Sequence, residues 1–530
     1  MNQLRGRNVD NRRRIMIGYI PVVTGLALAL IVVILFPSQI PSNLTINLPL
    51  NFKLIPSNDL PGMAGKTVSG IECGPGIRQI PWSSYSPMCQ PNFHGNNGGS
   101  TSYGVTGKTI TVTFRYALPP EYQALVGLLG GSSVIGNEQD AIATMQSYIN
   151  FFNSQFELYG RKVVLKAFTG KGNLLTELSG SGIPEAQADA ATAKSLGAFA
   201  DVSLIFSTPV YDQVLAQNHI VAITGSLFQD AQWFDQNSPF VYSTTATCDM
   251  VSKAAAAIIG NSMAGLPAIF SNSPILRVRK RVLGLIAPDN PQYQGCAKEA
   301  LDYLSKYGVK IVKSIGYPFS LTGATQLSTN TVEQLVSAGV TTIMCACDPI
   351  TPIFLAGDAS SLQYYPEWFT LDWGDGFAQI VSKNEWAGAL SGGQPSIPKA
   401  DQESYKALLL AHVPKNQINP LYSSIYAPLI MLFDAIQAAG PDLTPQTFEH
   451  GFWSLPPSVG SLNGMWQFHT GSYVAQASYE IMQYDPNIVS NDDGKSGAWT
   501  ACNSGKLYFY SNPTLGLKKG TQLNCPFRKQ

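Results

Sequence analysis

Between positions 162 and 224 the chain reads KVVLKAF (Lys162–Phe168), PEAQADAATAKSLG (Pro184–Gly197), VSLIF (Val202–Phe206), a helical stretch near Val210–Gln217, and IVAIT (Ile220–Thr224). Short β-branched runs alternate with helical ones, and Pro opens and Gly closes the first helix. Strand–helix alternation of this kind specifies a parallel sheet covered on both faces. The rhythm begins upstream with TITVTFRY (Thr109–Tyr116) and a helix over Glu138–Phe156. It restarts after Cys248, with a helix at Met250–Gly260, RVLGLI (Arg281–Ile286) and a helix at Gln294–Tyr307. KIVKSI (Lys310–Ile315), a helix at Thr331–Ala338, TTIMC (Thr341–Cys345) and Trp368–Leu371 continue it. The expected fold is therefore α/β, in two consecutive lobes of similar size. Ligands of such sheets bind beyond the carboxyl ends of the strands.

Outside that region the composition changes. Five arginines face one Asp within residues 1–14, which gives +4, and the remainder carries −4. The first part reads as a cytoplasmic basic tail, and no large basic field is left for nucleic acid. Charged residues are only 13% of the chain, about half the usual share, while the apolar content is ordinary, so global disorder is excluded. Residues 15–36 hold 22 positions without a charge. They would span roughly 33 Å as a helix, against a bilayer core of about 30 Å. The run ends in Phe36-Pro37-Ser38-Gln39, a poor cleavage site, and is expected to be an uncleaved transmembrane signal anchor; a cleaved signal of unusual length is the alternative. The positive-inside rule then places the head outside the cell membrane. Residues 37–107 show no sustained period and end in the Gly/Asn/Ser-rich run Gly95–Gly104. They are expected to be an extracytoplasmic linker or stalk. Eight cysteines suit an oxidising compartment, and nearness in sequence pairs Cys73 with Cys89 and Cys502 with Cys525. The other four stay open.

The residues then show a resemblance. Tyr148–Leu165 (YINFFNSQFELYGRKVVL) is similar to the "INAAGGINGRKVEL" junction of type I periplasmic solute-binding proteins, the branched-chain amino-acid binding group. Phe206-Ser207-Thr208-Pro209 with Ile220–Ser226 resembles that family's Ser/Thr-rich ligand loop and next strand end. Pro288–Gly295 (PDNPQYQG) resembles its "YGxG" turn, and Gly464–Gly471 (GMWQFHTG) its closing segment. The similarity spans roughly residues 108–500. It implies two Rossmann-like lobes that close around a small solute and hand it to an ABC-type membrane permease, with no cofactor. By the same analogy lobe 1 is 108–246 plus 405–455, and lobe 2 is 247–404 plus 456–530. Hinges then fall near Thr244–Thr247, Gly392–Asp401 and Pro456–Gly460.

For binding, Ser207 and Thr208 precede a helix start, where hydroxyls and free N–H groups favour a carboxylate; simple N-capping is the competing reading. Thr224, Gly225 and Ser226 end the next strand at the same rim, as a contact loop or an ordinary turn. The resemblance implies that Tyr293 closes over the ligand and that Asp372, with Trp373 beside it, meets an ammonium group. Asp348 and, more weakly, Tyr116 complete the set. The run Arg277–Arg281 reads as a solvated loop or a permease-docking patch. Nothing indicates a metal site: Cys345-Ala-Cys347 lacks ligand spacing, and His469 stands alone. Gly260-Asn-Ser262-Met-Ala264 falls short of G-x-S-x-G, and there is no HExxH, Walker loop or G-x-G-x-x-G. An enzyme is therefore not expected. The alternative to uptake is a ligand-sensing ectodomain with a separate signalling partner.

Overall fold

The structure, a computed structural model, describes residues 63–117, 123, 127, 136–225, 229–371, 374–462 and 464–528, all within the unit Pro56–Gln530. The expected basic tail, the apolar span 15–36 and the first part of the stalk lie outside the described residues. Among the described residues no helix is long and apolar enough to cross a membrane.

A small antiparallel pair, β1 (Gly65–Lys66) and β2 (Glu72–Cys73), precedes the first large sheet. In that sheet β3 (Thr109–Tyr116), β4 (Lys162–Thr169), β5 (Ala200–Asp201), β6 (Val221–Thr224) and β7 (Val241–Ser243) lie in the order β4-β3-β5-β6-β7, all parallel. Between them run α1 (Glu138–Gln155), α2 (Leu174–Leu178), α3 (Ile183–Ser195), α4 (Pro209–Gln217) and α5 (Ala231–Gln236). The Asn137 side chain caps α1 by accepting from the Asp140 N–H. The chain winds one way from β3 to β4 and the other way from β5 onward, so the strand order reverses between β3 and β5.

The second lobe opens with α6 (Cys248–Ile258) and α7 (Pro274–Arg277). It continues through β8 (Leu283–Pro288), α8 (Pro291–Lys306), β9 (Ile311–Tyr317), α9 (Leu321–Ser337), β10 (Thr342–Cys345) and α10 (Thr351–Ser361). It ends with β11 (Glu367–Leu371), α11 (Asp375–Ala378), α12 (Lys383–Trp386) and β12 (Leu390–Gly393). The chain returns to the first lobe with α13 (Glu403–Leu410), α14 (Tyr422–Ala439), α15 (Pro445–Trp453) and the pair β13 (Ser458–Val459) and β14 (Met465–Trp466). Finally β15 (Ser478–Val489), β16 (Ser496–Ala501) and β17 (Leu507–Phe509) extend the second sheet as antiparallel strands. Its order is β16-β15-β12-β11-β10-β8-β9, and its strand order reverses between β8 and β10.

Three expectations are corrected. The described part of the expected stalk, residues 63–107, is built into lobe 1. Ile80, Tyr85 and Val105 are buried in the same apolar cluster as α1 and α14. Gln79 donates to the Gln155 carbonyl, and Ser83 donates to Glu403. Inside the run that looked flexible, Gly104 has φ +77° and lies so close to the Ala198–Phe199 backbone that a Cβ would sit 2.2 Å from the Phe199 nitrogen. Glycine there serves close packing rather than looseness. Second, lobe 2 does not begin its return at residue 456. Leu462, Trp466, Phe468, Tyr473 and Val474 all belong to the first lobe's core, and Val474 bridges to Ser243, the last residue of β7. The Trp466 ring meets Tyr85 edge-on at 4.7 Å, so aromatic packing holds this segment in lobe 1 up to Ala475. The crossing falls at Gln476–Ala477, where the Gln476 side chain accepts from the Ala246 N–H at 3.0 Å. Third, Val202–Phe206 is not a strand. Only Ala200–Asp201 pair, and Leu204–Phe206 form a 3₁₀ turn. Ser203 takes the Arg115 N–H on its hydroxyl at 2.9 Å, and the Arg115 guanidinium holds the Phe206 carbonyl, so the ladder ends early.

The four disulfides are Cys73–Cys89, Cys248–Cys296, Cys345–Cys347 and Cys502–Cys525. The two pairings read from sequence nearness form. Of the two pairings that the sequence left open, Cys345–Cys347 sits where β10 ends, and Cys248–Cys296 joins α6 to α8.

Candidate functional site

The reversal in lobe 1 puts the end of β3 and the loop after β5 at one rim. Arg115, one residue before that end, is only 3% exposed. A charge so deep must be paired, and it forms two parallel bonds to Glu177, 2.8 and 2.9 Å long, plus a third to Asp189 at 3.2 Å. Its guanidinium lies 3.7 Å from the centre of the Tyr211 ring. Glu177 also receives the Thr208 hydroxyl. Thr113, Ser203 and Tyr211 all donate to the neighbouring Asp201. Burial pushes Asp201 up to about 6 despite those donors and the nearby arginine. Burial likewise pushes Asp212 up to about 7, although Ser207 and Thr224 bond to it. The rim thus rests on a polar network sealed from water.

That network decides what the expected binding residues do. Thr208 is fully buried, and besides donating to Glu177 it accepts the Tyr211 N–H at 3.1 Å, as the N-cap of α4. The capping reading holds for it, and its hydroxyl does not face solvent. Thr224 is buried and turned to Asp212. Ser207 is half-buried with its hydroxyl on Asp212, Tyr116 is half-buried, and Gly225 is exposed. These three are the expected residues that reach the rim of lobe 1. Ser226 lies outside the described residues, as do Asp372 and Trp373.

In lobe 2 the reversal brings together the end of β8 and the loop after β10. Asp348 stands in that loop but is 2% exposed. Its oxygens accept from the Ile350 and Thr351 N–H groups (2.7 and 2.9 Å) and from the Tyr317 and Thr351 hydroxyls (both 2.6 Å). Its oxygens are taken up by the start of α10 and by Tyr317 at the end of β9, so the expectation of a ligand carboxylate is corrected. Tyr293 stands in the first turn of α8, and its hydroxyl donates across the cleft to the Leu178 carbonyl of lobe 1. Beside it Gln292 donates to the same carbonyl at 3.1 Å, and Asn290 donates to the Ser179 carbonyl at 3.0 Å. The two lobes meet at Gly180, φ +85°, where a Cβ would lie 2.7 Å from the Gln292 amide. Ile350, in the loop before α10, packs into the first lobe's core cluster. This is a closed arrangement of the two lobes.

Sequence reasoning passed over Arg115 and Glu177. The signal was present: an arginine inside TITVTFRY, a strand otherwise apolar enough to be buried on both faces. The run Arg277–Arg281 is also divided, because Arg281 is fully buried against Glu367 (2.6 and 2.8 Å) while Arg279 and Lys280 are exposed. Among the described residues no cluster of His, Cys, Asp and Glu could hold a metal, and His469 sits exposed in its turn.

Two α/β lobes with reversed strand orders, joined by three crossings and closed over a shared rim, define a bilobal binding protein. The periplasmic binding protein family profile matches residues 185–495, more than half of the chain, and the chain belongs to that family. Solved structures share the fold. The leucine-, isoleucine-, valine-, threonine- and alanine-binding protein of Brucella ovis, in its closed conformation, is 12% identical with TM-score 0.55, covering 79% of this chain and 99% of that one. The fatty acid ABC transporter substrate-binding protein of Thermomonospora curvata is 15% identical with TM-score 0.54, covering 81% and 100%. A branched-chain amino acid ABC transporter protein of Thermus thermophilus with bound valine is 13% identical with TM-score 0.52, covering 71% and 94%. A comparison with curated proteins finds no match. Each of these three is named as a binding or transport protein, two of them of ABC transporters.

Proposed function

We propose that this chain is a membrane-tethered, extracytoplasmic solute receptor that captures a small metabolite by lobe closure and delivers it to an ABC-type permease. The observation that carries the reading is the contact of Tyr293, Gln292 and Asn290 with the Leu178 and Ser179 carbonyls. Those bonds exist only when the lobes are shut, so a solute that bridges the rims shifts the population toward this state. Tyr116, Ser207 and Gly225 would meet the solute from lobe 1. The structural relatives are named for leucine, isoleucine, valine, threonine and alanine and for a fatty acid, which supports solutes with an apolar part. The apolar span 15–36 supports the tether.

The test is a thermal-shift screen of the full chain against a metabolite library, followed by a donor–acceptor pair placed on the two lobes. A true solute raises the unfolding midpoint by mass action, about 2.7 kcal/mol at a hundred times its Kd, and moves the dyes together. A stabilising solute that leaves the distance between the dyes unchanged would sink the closure reading. Co-purification with a sensor kinase rather than a permease would replace uptake by sensing.

A further inference from the structure

Before β8 the chain forms a closely bonded loop that carries α7. Ser273 caps α7 by accepting the Leu276 N–H at 3.3 Å, and Leu276 is buried beneath it. The Arg277 Nε donates to the Ser271 carbonyl at 2.7 Å, the Asn272 amide to the Ala387 carbonyl at 2.9 Å, and the Ala268 N–H to the Arg279 carbonyl at 2.9 Å. Residues three apart on a helix share a face. Here that face carries Ile275 and, at the C-cap, Val278, which are 74% and 79% exposed, the two most exposed large apolar side chains among the described residues. Single exposed apolar residues are ordinary; what sets this pair apart is the charge around it.

Arg279 and Lys280 are exposed, with Arg277 half-buried beside them. The stretch 250–288 holds five Lys and Arg and no Asp or Glu, and the stretch 494–530 holds six and again none. The second packs against the first: the Gly520 N–H donates to the Asn261 carbonyl at 2.8 Å, and the Arg528 guanidinium to the Phe270 and Ser271 carbonyls at 2.8 and 2.6 Å. Lys518 and Lys519, next to Gly520, are exposed. Glu367 and Glu385 stand near the loop, but both are buried and bonded inward, to Arg281 and Thr342 and to Ser360 and Trp368. The chain from residue 15 onward carries −4, so this is an island of positive charge on a negative head.

Its place in the lobe bears on the partner. The loop enters β8 at Leu283, whereas the cleft lies past Pro288 at the other end of that strand, roughly 17 Å away at about 3.3 Å per residue. Every residue named belongs to lobe 2, so the face is the same with the lobes open or shut. A permease that must tell those states apart gains nothing from it. An anionic lipid surface asks only for cations around aliphatic side chains that enter the interface. We infer that this face of lobe 2 docks on a bilayer containing anionic lipid. Ile275 and Val278 enter the boundary between headgroups and acyl chains, and Arg277, Arg279, Lys280, Lys518 and Lys519 meet the headgroup phosphates. The inference goes beyond the receptor reading: it needs no solute and takes from the tether only the nearness of a membrane.

The test places a polarity-sensitive dye on Val278→Cys in the full chain; no native cysteine among the described residues is free to compete for it. The labelled chain is reconstituted in vesicles of phosphatidylcholine alone, or of equal parts phosphatidylcholine and phosphatidylglycerol. In the anionic vesicles the emission moves to the blue and spin-labelled acyl chains quench it. The shift shrinks at about 1 M salt, where the Debye length is about 3 Å. Adding Arg279→Gln and Lys280→Gln lowers the docked-to-free ratio roughly thirtyfold, the worth of two cations at an anionic surface. The same dye on Leu410→Cys, at an exposed site on α13 of lobe 1, does not respond. Ile275→Cys repeats the measurement should Val278→Cys fail to fold. An unmoved dye in the anionic vesicles overturns the lipid partner and leaves the cations to an acidic protein surface or to solvent. Equal shifts in both kinds of vesicle overturn the role of the charges. A response at Leu410 as large as that at Val278 means general adsorption and overturns the assignment to this face. None of these outcomes touches the solute screen, which reads lobe closure.

Discussion

Arg115 and Glu177 face each other in a two-pronged ion pair, with side chains 4% and 0% exposed, and the same carboxylate holds Thr208 at the head of α4. The pair couples the strand that ends at the rim to the helices that flank it. A buried pair of this kind contributes little net stability against an apolar replacement, but breaking it leaves a charge with no compensation.

Glu177→Ala should therefore cost about 3–5 kcal/mol in urea unfolding. The double variant Arg115→Met, Glu177→Leu should lose much less. Equal losses from the single and the double change would show that the charges are not coupled.

Tyr293→Phe removes the hydroxyl that donates across the cleft to the Leu178 carbonyl. Folding stability should hardly change, while solute affinity falls by about threefold to tenfold, the worth of one hydrogen bond. Scattering on the ligand-free variant should report a more open average. An unchanged affinity would mean that closure does not depend on this contact.

The acid–base behaviour follows from Asp212 and Asp201, which burial pushes up to about 7 and about 6. Unfolded aspartates titrate near pH 3.9, so the folded chain binds more protons between about pH 4 and 7. Stability falls as pH rises through that window; the contribution is complete below it and lost above it. Asp212→Asn should shrink the difference in urea midpoint between pH 4.5 and 7.5. Glu385, also pushed to about 7 by burial, leaves part of the slope in place.

Asp434 on α14 is 1% exposed, and neither of its oxygens has a partner among the described residues. Burial pushes its carboxyl well above the usual carboxylate range. Asp434→Leu keeps the shape and removes the unpaired group, and should stabilise the chain by about 1–3 kcal/mol. Destabilisation would mean that the carboxyl is paired in solution.

The Cys248–Cys296 bond closes a loop of 48 residues. Replacing both cysteines with serine should cost about 2–4 kcal/mol, measured by thermal unfolding.

The lobes were legible in the sequence because their strands alternate with helices at regular spacing, and a parallel sheet buried on both faces leaves that pattern plainly. Tyr293 draws notice in the sequence because it lies in a short local motif, Pro288–Gly295. The third crossing could not be placed, because nothing local separates Pro456–Gly460 from Gln476. What holds the segment between them is Trp466 against Tyr85, a contact 381 positions apart in the chain. Residues 63–107 misled for the opposite reason. Their Gly, Asn and Ser content fits a linker, and their order comes from partners such as Gln155, Glu403 and Leu443 far along the sequence. Asp348 shows a third limit: a carboxylate at a strand end reads the same whether it serves a ligand or the next helix.

The seating of residues 63–107 makes them part of one lobe. Each hydrogen bond described between this segment and the rest of the chain ends on lobe 1. Among the described residues, lobe 2 is joined to this unit through the chain crossings and the contacts across the cleft. A partner that must tell a loaded receptor from an empty one has to feel the position of one lobe relative to the other.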